Sequence, residues 1–223
     1  MQFFRIKKIY SLLFLLTYLC TLKALPSMSQ YYLSKKNINL RNSFPGRRVG
    51  GGTRAICDSS AIVHLVPSNN VFSPGHSRRL ALLKRKTIHS FLSISKFRKY
   101  TTKGMTGEIL MKKTLNGPSG IYLIQAPYFK NHLIWESSLI CPNSNENDTG
   151  LFGYDHSLPP PARTLLLREA TNDDMYLADN IKWLTQFCNS SVDINDFSRR
   201  FPLDDLSNSM IGSKLVVHCD GLN

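Results

Sequence analysis

SGIYLIQAPYFKNHLIWESSLICPNSNENDTGLFGYDHSLPPPARTLLL, residues 119 to 167, is where the chain first reads as packed protein. Gly120 to Ala126 is dense in β-branched and aromatic residues and predicts a buried strand, which Pro127 ends. Leu133 to Cys141 is a second apolar run. Trp135 and its Ile and Leu neighbours suit strand or helix, and its shortness favours strand. Asn143 to Gly150 is a turn by composition. Leu151 to Tyr154 predicts a short strand, and Pro159-Pro160-Pro161 an extended exit that cannot donate backbone hydrogen bonds.

Working outward, charge divides the chain. Residues 1–113 carry 21 Lys+Arg against 2 Asp+Glu, and residues 114–223 carry 7 against 13, which together give the net +13. A split of this kind predicts an address or arm joined to a body. Residues 1–24 have the form of a signal peptide: Arg5, Lys7 and Lys8 precede an uncharged apolar run from Ile9 to Leu22, too short to span a bilayer. No stable membrane span is expected in the mature chain. Residues 25–113 are rich in Ser, Asn, Lys and Arg, with Asp58 and Glu108 the only acids, and read as a mostly disordered transit-like segment. Its basic residues look scattered rather than set on one face, and Ala61 to Val66 looks too isolated to build a core. The order of signal and transit-like segment resembles the bipartite presequences that direct proteins into complex plastids such as the apicoplast. The expected first partner is therefore the import machinery. Gly50-Gly51-Gly52 lacks the Lys-Ser/Thr of a phosphate loop. Phe91, Phe97 and Tyr100 interleave with Lys96, Arg98 and Lys99, a pattern that also suits stacking on RNA bases.

On the other side of the opening stretch, Asn172 predicts a helix N-cap followed by Asp173 and Asp174. Leu177, Ile181, Leu184 and Cys188 fall at helical spacing and predict one buried face, in a common core with Trp135. Val192 to Met210 reads as a weaker helical region that Pro202 can start. Lys214 to Cys219 reads as a closing strand. Five cysteines are few for a disulfide scaffold. With Cys20 in the signal segment, Cys57, Cys141, Cys188 and Cys219 are expected as free buried thiols. Asn147 and Asn189 open glycosylation sequons, which matter only in a secretory lumen.

Residues 114–223 thus form the expected body, and its opening stretch resembles the YqgE/AlgH-like family. That family pairs a Gly-x-x-Leu-x-Ala strand with a Phe-Glu-x-Ser/Thr-Val-Val-Leu-Leu strand, then a loop to Gly-x-x-Gly-x-x-x-Asn-Arg-Pro-Leu. The counterparts here are Gly120-Ile-Tyr-Leu-Ile-Gln-Ala126, Trp135-Glu136-Ser137-Ser138-Leu139-Ile140-Cys141, and Gly150-Leu-Phe-Gly153-Tyr-Asp155-His156-Ser157-Leu158. Trp135 replaces Phe, and Asp155-His156-Ser157 replaces Asn-Arg-Pro. Leu215 to Gly221 echoes a later family segment, so the family domain is expected to be incomplete at its C-terminal side. The resemblance implies an α/β fold with a small, largely antiparallel sheet and packed helices. It implies no defined enzymatic activity.

No chemistry assembles from the sequence alone. Glu136 beside Trp135 suggests a raised carboxyl pKa, but strand alternation turns it away from Trp135 toward solvent or a salt bridge. Asp155-His156-Ser157 contains the residue types of a triad, yet triads assemble in space rather than in a row. Cys141, His156, Cys188, His218 and Cys219 lack metal spacing, and adjacent strand residues such as His218 and Cys219 point oppositely. The expectation is an organelle-targeted, non-catalytic domain without cofactor or metal that binds an unknown protein partner. The alternatives are a secreted or ER-lumenal interaction protein, and an organellar RNA- or ribosome-associated protein.

Overall fold

The computed structural model describes residues 39–50, 62–85, 92–101, 106–140, 160–202 and 213–219. The chain from Leu40 onward forms one compact unit. It opens with a short helix α1 (Leu40–Ser43) and the strands β1 (Val49–Gly50), β2 (Ile62–His64), β3 (Val71–Phe72) and β4 (Arg79–Lys84). Two long strands follow, β5 (Leu92–Tyr100) and β6 (Thr106–Leu115), then β7 (Gly120–Gln125), β8 (Leu133–Ile140) and β9 (Ala162–Leu166). Helix α2 (Asn172–Leu184), a 3-10 turn (Thr185–Phe187), β10 (Ser191–Asp193), α3 (Ile194–Arg200) and β11 (Lys214–Cys219) complete it.

The strands make two sheets, in the orders β1-β2-β4-β7-β11-β10 and β3-β9-β8-β5-β6. Among the described strands only β7/β11 and β3/β9 pair in parallel, so the architecture is α/β with largely antiparallel sheets. Strand β4 and most of β7 are buried on both faces, with α2 packed beside β4. That explains why their sequences read as continuous apolar runs rather than alternations. Trp135, Ile181 and Leu184 lie in one core with Leu82, Phe97 and Leu123, and Leu177 packs against it, as the sequence predicts. A smaller cluster of Val71, Ile134, Leu165 and Leu167 takes Leu40 and Phe44 from the α1 region.

The expected boundary at residue 114 is wrong. Strands β2 to β6 precede it or cross it, and Ile62, Val63, Leu80, Leu82 and Phe97 are core residues. Strand β5 shows why composition misleads. Along Ser93-Ile-Ser-Lys-Phe-Arg98, Ser93, Ser95 and Phe97 share the core-facing side, while Lys96 and Arg98 alternate away from it. The register sets Lys112, Lys96, Glu136 and Arg163 in one row across four strands. Lys96 and Lys112, at least, are set side by side on one face of their sheet. The described part of Ala61 to Val66 also belongs to the core: Ile62, Val63, Leu65 and Val66 are all buried. The signal segment 1–24 lies outside the described residues, as do Leu151 to Tyr154 and the family-motif glycines Gly150 and Gly153.

Helix α2 begins one residue earlier than the sequence suggests. Thr171 is the N-cap: its hydroxyl accepts from the Asp174 N–H, and its own N–H donates to the Asp174 carboxylate at 2.8 Å, a reciprocal capping box. Asp174 is fully buried and also accepts from Arg41 Nη2 at 2.6 Å and from Ser73 N at 3.1 Å. One carboxylate thus joins α1, the end of β3 and the cap of α2. Cys188 lies beyond the helix, and within the expected Val192 to Met210 helical region α3 runs from Ile194 to Arg200, capped by Asp193. The stretch after Pro202 that this residue is expected to start lies outside the described residues.

Candidate functional site

Three polar constellations compete for function, and access separates them. The first is built on His64, which sequence reading passed over. Its imidazole stacks on Trp135 with ring centroids 3.4 Å apart. Nε2 lies 2.8 Å from Ser137 Oγ, and Nδ1 lies 2.8 Å from Thr164 Oγ1. Ser137 Oγ is 2.7 Å from Ser95 Oγ, which also accepts from Trp135 Nε1 at 3.3 Å. Burial pushes the imidazole pKa well below 6.5, so at neutral pH one ring nitrogen donates and the other accepts. A serine hydroxyl beside a histidine has the form of a nucleophile and its base. Here, however, His64, Ser95, Trp135, Ser137 and Thr164 have at most traces of accessible surface. No lining residue of the described clefts belongs to the network. It is a polar pin between the sheets, because a buried polar group is tolerable only when its partners are complete.

The second constellation surrounds Glu136. As expected from strand alternation, the carboxylate turns away from Trp135 into salt bridges. Arg98 Nε lies 2.9 Å from Oε2, and Arg163 Nε 3.3 Å from Oε1. With Lys96 and Lys112 in the same row, cations outnumber this single acid. Burial, together with Arg98 and Lys112, lowers the pKa of Lys96, and Glu136 partly offsets the shift. The row is half-sheltered: Lys96 is buried and Arg98, Glu136 and Arg163 are partly so.

The third is a cleft of about 410 Å³ beside α2. Leu65, Val66, Leu177 and Phe201 form apolar walls, and Arg48, Asp173, Tyr176 and Arg200 bring polar groups to it. Tyr176 and Met175 are exposed on the adjoining turn of α2. A smaller cleft of about 160 Å³ lies at His76, Arg78, Tyr128 and Arg168.

The remaining family-motif residues have structural accounts. Gly120 sits at φ +154°, and a Cβ there would come within 2.5 Å of the Val216 carbonyl oxygen on the parallel strand β11. Glycine lets β7 and β11 approach. Ala126 is buried, and its N–H donates to the Arg78 carbonyl at 2.9 Å. Trp135 and Ser137 belong to the His64 pin.

The expected free thiols at Cys188 and Cys219 are instead joined in a disulfide. Cys188 follows the 3-10 turn and bridges alongside Val217 in β11, which brings it beside Cys219 in a way that linear spacing does not reveal. The neighbouring His218 stacks on Tyr122. Asn189, the second sequon, lies exposed in the turn before β10. Cys57, Cys141 and the Asp155-His156-Ser157 loop lie outside the described residues. Among the described residues no three His, Cys, Asp or Glu side chains are grouped to hold a metal, and no helix is long and apolar enough to cross a membrane. No family profile, curated protein or solved structure matches this chain.

Proposed function

We propose that this chain is an organelle-targeted, non-catalytic domain of YqgE/AlgH-like character that binds a protein partner through the cleft beside α2. The observation that carries the reading is that cleft: apolar walls open to the surface, with exposed Tyr176 among its lining residues. Amphipathic aromatic side chains around an apolar depression are the usual anchors of protein recognition. The Ser137–His64 pair, by contrast, is buried and lines neither described cleft. RNA stacking loses its central residue, since Phe97 is fully buried in the core. The presequence reading now rests on residues 1–39, because the compact unit begins at Leu40.

A photo-crosslinking amino acid placed at 176 or at 128, in the cell of origin, tests the reading. Tyr128 is equally exposed but borders the smaller cleft. A discrete protein adduct from position 176 and none from 128 supports the reading; the reverse, or no adduct, defeats it. Plain Tyr176→Ala should change stability by no more than the roughly 0.5 kcal/mol that surface changes cause.

The disulfide favours a second reading, a secreted or lumenal interaction protein, because such bonds persist in oxidising compartments. Mass spectrometry of the native protein without reductant separates the two. A free-thiol Cys188 and Cys219 with a removed presequence supports plastid import. A disulfide with glycan on Asn189 supports the lumen.

A further inference from the structure

We propose that the smaller cleft, where the β3–β4 turn meets the chain after β7 and after β9, binds a small phosphate monoester. The inference goes beyond the partner-binding reading. The two clefts share no lining residue, so either can fail alone.

The charge of this cleft is one-sided. Arg78, Arg168 and His76 line it, and no lining residue is acidic. None of the three enters an ion pair among the described residues. Glu169, next in sequence to Arg168, is not a lining residue, and its charge is felt at His132. Two guanidiniums match the charge of a phosphate monoester near neutral pH, and each planar fork can hold two phosphate oxygens.

The backbone points the same way. Arg78 sits at φ +51°, in the left-handed region that is strained for most residues with a Cβ. The other two non-glycine residues found there among the described ones are Asn70 and Asn189, and asparagine tolerates that conformation. An arginine held where Gly or Asn would cost less is the kind of local strain that gathers at binding sites. The segments are also braced. The Arg78 carbonyl accepts from the Ala126 N–H at 2.9 Å. The Arg168 carbonyl accepts from Ser73 Oγ at 3.0 Å, and Ser73 N donates to the buried Asp174 carboxylate. Both cations spring from tied backbone, which lowers the ordering cost of binding.

Size selects a small molecule. A cleft of about 160 Å³ admits a phosphate and the atoms next to it. Phe129 and buried Leu167 give it an apolar side, and exposed Tyr128 adds a ring for a flat group carried on the phosphate. A small ligand leaves no protein adduct at position 128, so the crosslinking comparison is unaffected.

The test is a titration of the full chain with phenyl phosphate, followed by amide chemical shifts. Shifts are expected at residues 75–78, 128 and 129, and none at 176. Benzoate, which has the ring but a single charge, should bind about tenfold more weakly. Arg78→Asn keeps a residue that accepts the left-handed turn while removing the guanidinium, and Arg168→Gln changes an exposed side chain. Both variants should therefore melt like the parent and bind phenyl phosphate about tenfold more weakly. Lys130→Gln, an exposed charge outside the lining, should bind like the parent. The proposal is overturned if phenyl phosphate does not bind at millimolar concentration, or if binding survives both arginine substitutions. An equal loss in Lys130→Gln would mean diffuse attraction and also overturns it, as does benzoate binding equally well. Tighter Arg78-dependent binding to vesicles containing phosphatidic acid would assign the phosphate to a lipid and defeat the small-molecule reading.

Discussion

His64 and Arg48 are joined by one backbone hydrogen bond, the His64 N–H to the Arg48 carbonyl at 2.8 Å, yet their side chains have opposite fates. His64 turns inward and is sealed among Trp135, Ser137 and Thr164. Arg48 turns to the cleft, over walls formed by the next two residues of the same segment, Leu65 and Val66. The sealed site has the richer chemistry, with nucleophile, base and orienting hydroxyl in line. The open site has arginines, an acid, a tyrosine and apolar walls. The contrast teaches that residue type proposes a site and access decides it: polar groups without access serve architecture.

Three substitutions press on that contrast. The largest effect is expected from Ile181→Asp. The comparison assumes that the wall of the cleft and the pin share one core, and Ile181 is buried in it. An unpaired carboxylate there costs several kcal/mol, so the unit should fail to fold, read as loss of a cooperative melting transition. A variant that melts like the parent would detach α2 from the pin.

Asp174→Ala comes next. It removes the acceptor shared by Arg41, Ser73 N and Thr171 N, while the part-exposed Arg41 keeps the Glu169 carbonyl at 2.7 Å. Losing hydrogen bonds to a buried charged group costs about 1.5–3 kcal/mol. Denaturant titration should show a lower midpoint with an unchanged slope; a shift below about 1 kcal/mol would make the contact a surface ornament.

The smallest effect sharpens the contrast most. Because burial holds the folded His64 pKa below 6.5, the unfolded chain takes up a proton first as the pH falls. Stability should be full above that pH and decline below it, by up to about 1.4 kcal/mol per pH unit for one proton. His132, also lowered by burial and partly raised by Glu169, adds in the same direction. Comparison with His64→Gln isolates the pin. If the variant keeps the parent's acid slope, His64 is reached by solvent and the contrast collapses.

How much of this was legible in the sequence follows from where each signal resides. β7, β8 and β11 are apolar enough to be read directly, and the α2 face shows its period. The strands before residue 114 were hidden because their buried residues include Ser93, Ser95, Thr164-bonded His64 and alternating Lys, so burial rests on hydrogen bonds that composition does not register. An alternation test on residues 92–98, rather than a charge count, is the signal that finds β5. The cleft gathers Arg48, Tyr176 and Arg200 from three distant segments, and the disulfide joins residues whose proximity depends on β11 lying beside Cys188. Neither leaves a local trace. Glu136 was readable because its position follows from strand parity alone.

The parallel pairing of β7 with β11 has a kinetic consequence. Ile121 finds Val217 only after β8, β9, both longer helices and β10 have been placed, and Gly120 leaves no side chain to guard the approach. Loop closure over such a separation is slow compared with hairpin formation. During synthesis, therefore, the centre of the six-stranded sheet waits with an open edge while hairpins such as β5–β6 are already complete. A chain built this way stays threadable for longer than one whose sheet zips up in sequence order, and during that interval its unsatisfied edge is the surface on which a holding chaperone, or an unwanted second copy, can lay a strand.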